Sequence, residues 1–500
     1  MIKQNLKFTL KDGKVIKSEN YDNGIMIIDD SESHLYQDSV ILPAFTDSHC
    51  HIWGLGMKAT GLDFSDCNTA VECCEKALKS PFYRGNWLVG RGWNQEKWGG
   101  KLPDKSLLDM YFPNTPVCFT RIDGHSIWVN SKAIEVSGID SHSSQIDGGE
   151  FLLDENSFPI GIFIDNATQL IEKNIPPFSK NQLKHFILKG IDLGIKAGIT
   201  SFHDMDISKE LHEIYIELDK NNELKANVYS FLAAQNREYL MFEDNQYEGK
   251  NYKVQGIKLY ADGALGSRGA ALFEPYNDYS SNGLLLANKT IMTDICKEAA
   301  TQGFDIAIHA IGDRAVRMII DIFGELRNDK FIDNKLRIEH SQLVRPEDII
   351  LYTKYNIIAS VQPIHCVSDA KMADVRLGKE RASLIAYPWQ SFLDNKVLLI
   401  AGSDFPIENE SVIAGIDAFV NRIGVDMNIA WNVKEKININ DAIMAFTFSP
   451  QAAVDNSIND SISAGLSTDF VILENFDEKQ ILITTIKAVF KHGKLIYEKN

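Results

Sequence analysis

Short apolar runs recur along the chain after residue 195: "GITSFHDM", "ANVYSFLAA", "VQGIKLYADG", "FDIAIHAIGD", "LRIEHSQL", "IIASVQP" and "VLLIAGSDFP". Runs this short, continuous and rich in β-branched residues predict strands buried on both faces, as in a parallel sheet, because a half-exposed strand would alternate. Between several of them the period changes to that of a helix. "NQLKHFILKGIDLGIKAG" precedes the first run and "TIMTDICKEAATQG" precedes "FDIAIHAIGD". With "VILPAFTDSH" in front, the series reaches eight strands. Eight strand–helix units in succession predict an α/β fold of the (β/α)8 TIM-like barrel type.

The flanks read differently. "LKFTL", "KVIKSE" and "GIMIIDD" before residue 45, and "TDFVILEN" and "ILITTIKAVFKHGKLIYE" after 465, are short strands and turns with little helix. Residues 1–44 and 465–500 therefore predict one small β-sandwich domain built from both termini, beside a barrel over 45–464. Between the first and second barrel strands lies an excursion over about 60–185. A connection that long is usually functional or separately folded, which predicts an insertion subdomain over the barrel mouth.

Composition narrows the class of protein. A chain of 500 residues, 44% hydrophobic and 24% charged, is that of an ordinary globular protein. Its formal charge of -17 opposes a nucleic-acid or anionic-membrane partner. The amino terminus lacks the basic start and apolar core of a leader, and no apolar stretch reaches the roughly 18 residues of a spanning helix. Seven cysteines in no CxxC pair fit neither a disulfide framework nor a thiolate zinc site. The expected location is the cytoplasm, the expected partner a small-molecule substrate, and a homo-oligomer is compatible with the sequence.

Candidate chemistry lies where the apolar runs end. His49 and His51 finish the first run and point to the same side of a strand. His203 and Asp204 close the second, Lys258 the fourth, His309 the fifth, His340 the sixth and Asp404 the eighth. Any one of these could be a satisfied structural polar group. Barrel enzymes, however, gather their chemistry at the carboxyl ends of the strands, and ligand-type residues at so many of those ends predict a metal site. A Ser-based nucleophilic site is the chemical rival, but the sequence has no GxSxG elbow.

The set HxH, Lys, His, His, Asp resembles the metal constellation of the amidohydrolase superfamily. "DGHSIWVNSKAIEVSGI", "IKLYADGALGSRGAAL", "IHAIGDRAV", "RIEHSQL", "SVQP" and "AGSDFPIE" resemble its YtcJ-like branch, which includes N-substituted formamide deformylases, and the resemblance runs over nearly the whole chain. It implies that His49, His51 and Asp404 bind the more buried of two divalent metals. It further implies that Lys258 bridges the pair as a carbamate, with His309 and His340 on the second ion. The alternative for Lys258 is an ammonium paired with Asp262 or Asp404. A mixed N/O set without thiolate suits zinc, with one or two ions, and also manganese or iron. The implied reaction is attack of metal-bound hydroxide on an amide or formamide carbonyl, Asp404 carrying the proton to the leaving nitrogen.

Three positions depart from the family pattern: Ala44 where Gly is usual, Asp165 where relatives tend to carry Glu, and "AGLSTDF" in place of a GAD-type phrase. Trp93, His125, Arg268 and His365 are candidate substrate-binding residues. Each has a plain alternative, packing for the Trp and a loop salt bridge for the Arg. The expected function is a metal-dependent amidohydrolase acting on a non-peptide C–N bond. The alternatives are a lactonase or esterase using the same site, and a non-catalytic barrel homologue, which missing ligands would betray.

Overall fold

The apolar runs assemble into one eight-stranded parallel sheet in a computed structural model of the chain, which describes residues 4–11, 14–22, 24–28, 33–331, 333–425, 427–454 and 469–499. We number these strands β1 (Phe45–Cys50), β2 (Ile199–Ile207), β3 (Asn227–Ala233), β4 (Tyr252–Tyr260), β5 (Asp305–Ala310), β6 (Leu336–His340), β7 (Ile357–Val361) and β8 (Leu399–Ala401). Each pairs in parallel with the next in sequence. The helices Lys180–Lys196 and Lys289–Thr301 stand where the 3.6-residue period places them.

The sheet curls into a nearly closed barrel. No ladder joins β8 to β1, but just beyond them the Asp404 N–H donates to the His49 carbonyl (2.7 Å) and the His51 N–H to the Phe405 carbonyl (3.0 Å). Gly402 permits this approach: a Cβ there would stand 2.3 Å from the His49 nitrogen and 2.7 Å from Asp47 Oδ1.

One expected strand is in fact two. "VILPAFTDSH" breaks at Ala44, with Ser39–Pro43 pairing antiparallel to Phe470–Glu474 and only Phe45–Cys50 entering the barrel. Pro43 has no N–H to continue a ladder. The next two amides turn to different partners, Ala44 to the Asp469 carbonyl and Phe45 to that of Gly198.

Two four-stranded sheets made from the termini face each other. One holds Leu6–Lys11, Lys14–Asn20, Ile25–Ile28 and Ser33–Tyr36; the other holds Ser39–Pro43, Phe470–Glu474, Thr485–Lys491 and Lys494–Glu498. Alternate side chains fill the space between them, among them Phe8, Ile25, Ile27, Ile41, Phe470 and Phe490. The expected boundary at 465 and most of "AGLSTDF" lie outside the described residues.

Residues 53–189 form a compact unit of their own, and residues 1–52 with 190–500 form the other. The 53–189 unit carries a six-stranded mixed sheet. Its period-two pattern sends Leu88, Phe119 and Trp128 into one apolar cluster and Trp87, Cys118, Ile127 and Val129 into another. All seven cysteines are buried and unpaired. Among the described residues no helix is long and apolar enough to cross a membrane.

Candidate metal centre

The strand-end residues do converge. His49, His340 and Asp404 each offer a ligand atom, and the three atoms lie within 4.8 Å of one another, all in buried residues. His51 Nε2 stands 3.3 Å and His49 Nε2 3.6 Å from Asp404 Oδ1. The His309 ring lies 4.5 Å from that of His340, which lies 4.8 Å from that of His49. Backbone geometry contributes: His340 has φ 73° and Asp404 φ 58°. Both therefore adopt left-handed conformations uncommon for such residues, where the chain leaves the strand.

Three of the four imidazoles are held in their metal-binding form, whereas burial acts to lower the pKa of His51 but the hydrogen bond and charge of Asp404 outweigh it and raise it above its ordinary value. Burial, with Lys258 nearby, pushes the imidazoles of His49 well below their ordinary range and that of His309 down to about 3; burial and the neighbouring His309 do the same to His340. All three are neutral at pH 7, as ligation requires. Burial works against ionisation of Asp404, but His49 and the hydrogen bond from His51 outweigh it and hold the carboxyl below its usual value. Lys258 is buried and makes no hydrogen bond or ion pair with a described residue; its Nζ lies 5.0 Å from the Tyr260 ring centroid. Desolvation lowers its pKa against the pull of Glu339, Asp404 and Asp206. Pairing with Asp262 does not occur. That carboxylate accepts from the backbone N–H groups of Ala271 (2.8 Å), Ile311 (3.0 Å) and Gly312 (2.7 Å).

These observations pass a test of fit for a metal. Among the described residues His309 Nε2 is buried without a hydrogen-bond partner, its nearest carboxylate oxygen being Asp262 Oδ1 at 3.5 Å, and both ring nitrogens of His365 are likewise unbonded. An unpaired buried lysine and orphaned imidazole nitrogens beside a carboxylate are costly unless something else binds them.

Beneath His49 lies a polar network that the strand-end pattern does not single out. His49 Nδ1 donates to Glu339 Oε2 at 2.6 Å, which leaves Nε2 facing Asp404. Glu339 is gripped by Arg337, which also donates to the Ser48 carbonyl (2.6 Å) and Ser360 Oγ (3.0 Å) and contacts His203 Nδ1 (3.0 Å). Burial opposes the charge on Glu339, but Arg337 and Lys258 outweigh it. The signal was present in "RIEH": two charges of opposite sign on one face of a strand otherwise apolar enough to be core. His340 Nδ1 meets Gln362 Oε1 at 2.7 Å in the same way, an arrangement typical of metal-binding imidazoles. Asp206 was likewise missed, because β2 runs two residues beyond the apolar run; it accepts from the Tyr260 hydroxyl.

The other candidates divide. His365 belongs to the cluster, with Nε2 3.8 Å from Asp404 Oδ2. Trp93 does not line a site: it is wholly buried in the core of the 53–189 unit, and its indole N–H donates to the Phe119 carbonyl at 2.7 Å. His125, in the same unit, is exposed and pairs with Asp165 at 3.0 Å. Arg268 forms a loop salt bridge with Asp278 at 2.8 Å, a carboxylate it shares with Arg376. Asp204 accepts from the Ile52 N–H (2.9 Å) and the Tyr215 hydroxyl, which anchors the helix after β1.

A parallel barrel with imidazoles, a lysine and an aspartate at its strand ends has the layout of a metal-dependent hydrolase, and the chain belongs to the amidohydrolase family, whose profile matches residues 37–497. Among its relatives is YtcJ of Bacillus subtilis (strain 168), 29% identical over 92% of this chain and 90% of that protein. An N-substituted formamide deformylase of Arthrobacter pascens is 21% identical over 91% and 88%. A solved structure, an uncharacterized metal-dependent hydrolase from Pyrococcus furiosus, superimposes with a TM-score of 0.77 and 26% identity over 96% of this chain and all of that one. The resemblance drawn from the motifs is thereby borne out.

Proposed function

We propose that this protein hydrolyses a non-peptide C–N bond, an amide or formamide of a small molecule. The observation that carries the reading is the joint presence of the His49–His340–Asp404 group and a buried lysine that makes no ion pair or hydrogen bond with a described residue. His49, His51 and Asp404 would hold one divalent metal, zinc by the character of the donors, and His309, His340 and a carboxylated Lys258 a second. Such a centre polarises the substrate carbonyl and acidifies water. A lysine whose pKa is lowered by burial more readily presents the neutral amine that carboxylation needs. Asp404, ionised and touching both His49 and His51, is the group to accept a proton and return it to the departing nitrogen, since an amine leaves poorly unprotonated. His365, with no hydrogen-bond partner among the described residues and Nε2 3.8 Å from Asp404 Oδ2, would hydrogen-bond substrate. Seven buried, unpaired thiols support a reducing compartment, the cytoplasm.

The test is a screen of metal-loaded protein against N-formyl amines, N-acyl amines, cyclic amides and lactones, with amine release as readout. Turnover of amides is expected. Turnover confined to lactones would replace the C–N reading by an ester hydrolase. A crystal structure should show added density on Lys258 Nζ, and a bare ammonium beside one fully occupied metal would remove the bridge alone.

A further inference from the structure

A cavity lies within the 53–189 unit. On the sheet face that buries Trp87 and Cys118, the period-two pattern continues through Val89, Arg91 and Thr120, and these line the cavity, of about 380 Å³. Its apolar walls include Met57, Phe82, Ile122 and Phe178, and Ile122 is 44% exposed, a large aliphatic side chain left uncovered beside charged neighbours. Two guanidinium groups, those of Arg84 and Arg91, also line it, with the carboxylate of Asp63. That carboxylate is already occupied by the Ser65 N–H and hydroxyl, both at 2.9 Å.

The guanidinium groups are poised for an anion. Arg84 donates Nε to the Pro176 carbonyl at 3.0 Å and lies 4.5 Å over the Phe178 ring, so its plane is fixed while neither terminal amine has a hydrogen-bond partner among the described residues. Gly85 and Pro176 pack so closely that a Cβ on the glycine would meet the ring at 2.7 Å, which holds the Arg84 hairpin against that carbonyl. Arg91 makes no side-chain hydrogen bond or ion pair with a described residue. In a chain of net charge -17, two guanidinium groups beside apolar walls suit an anionic ligand; Glu172 acts on Arg84 through its charge but forms no ion pair with it. A fixed guanidinium fork matches a carboxylate in shape, and the apolar walls penalise a dianion such as phosphate far more than a monoanion.

We propose that this cavity binds a small carboxylate with an apolar body, an aryl or alkyl acid of about ten to fifteen non-hydrogen atoms. The site is independent of the chemistry assigned to the barrel.

The test uses the metal-loaded full chain and 4-phenylbutyrate, titrated calorimetrically beside its uncharged amide. Saturable 1:1 binding with a Kd on the order of 10–500 μM is expected, with the amide at least about tenfold weaker. Arg84→Gln and Arg91→Gln remove the charge while keeping two of the three side-chain methylenes and should each weaken binding by about tenfold or more, Arg91→Gln at an unchanged melting temperature because Arg91 makes no side-chain hydrogen bond with a described residue. Because carboxylates also bind metals, an aryl-diazirine carboxylate is photolysed on the wild-type chain and mapped by mass spectrometry. Labels on the segments containing Met57, Phe82, Ile122 or Phe178 support the site, whether or not the variants fold. Absence of saturation up to about 5 mM, equal binding of the amide, or labels confined to the His340 and His365 peptides would overturn it.

Discussion

At the scale of single residues, Asp404 and Glu339 carry the sharpest consequences. Asp404→Asn keeps an oxygen of similar size near His49 and His51 but removes the base, so turnover should drop by a factor of about 100 to 10,000. Metal content, measured in parallel, should fall much less; near-normal turnover in a metal-replete variant would move the proton to another group, His365 being the one within reach. Glu339→Gln acts through a tautomer. Arg337, the stronger donor, retains the amide oxygen, which turns the new NH2 toward His49 Nδ1 and forces that nitrogen to accept. The ring proton then sits on Nε2, where a metal would bind. We expect metal affinity to fall by about 10- to 100-fold, with the altered tautomer visible in imidazole ¹⁵N shifts. Glu339→Ala should behave differently. It leaves Arg337 buried and uncompensated, a loss of about 3–5 kcal/mol in stability that denaturant unfolding would report.

At the scale of elements, the barrel strands place polar groups at both ends for opposite reasons. The carboxyl ends hold the candidate ligands, whereas the amino end of β5 holds Asp305, which accepts from the Lys335 N–H at 2.7 Å and from the Gln255 amide. Burial raises the Asp305 pKa from 3.8 to about 6. Between those values the folded chain keeps a proton that the unfolded chain has released, so stability falls as pH rises through the window and the full penalty is present above it. Two pH units correspond to about 3 kcal/mol at most. Asp305→Asn removes the charge, and its NH2 can meet Gln255 Oε1, which has no partner at present, once the Gln amide turns. In metal-free protein the variant should gain about 1–2 kcal/mol at pH 7.5 and nothing at pH 4, read from urea midpoints. An equal gain at both pH values would mean that the carboxyl is not the cause.

For the whole molecule, the centre joins β1, β4, β5, β6 and the turn after β8, so a bound metal ties distant parts of the chain together. Protein purified without chelator should contain about one to two equivalents of divalent transition metal, chiefly zinc. Because the ligands do not form a site in the unfolded chain, binding free energy adds to folding free energy. Chelation followed by desalting should lower the melting temperature by about 5–15 °C, and zinc should restore it. Less than about a tenth of an equivalent after attempted reloading, with no thermal response, would sink the hydrolase reading.

The order of the barrel strands, the residues that gather at their carboxyl ends and the family were legible in the sequence because they depend on local pattern. A strand buried on both faces must be an unbroken apolar run, and a polar residue at its end stands out against it. The helices flanking β2 and β5 declared themselves by the same kind of periodicity. Other features depended on partners remote in sequence. Whether Trp93 faces a ligand or the Phe119 carbonyl, whether Arg268 is spare or held by Asp278, and whether the run through Pro43 and Ala44 serves one sheet or two are decided by what packs alongside. The same holds for Glu339: its neighbours in sequence hint at a pair with Arg337, but only the closing of β1 onto β6 brings His49 to it and so selects the nitrogen left for a metal. Pattern reports how much of each residue is buried; the identity of its partner is a property of the folded chain.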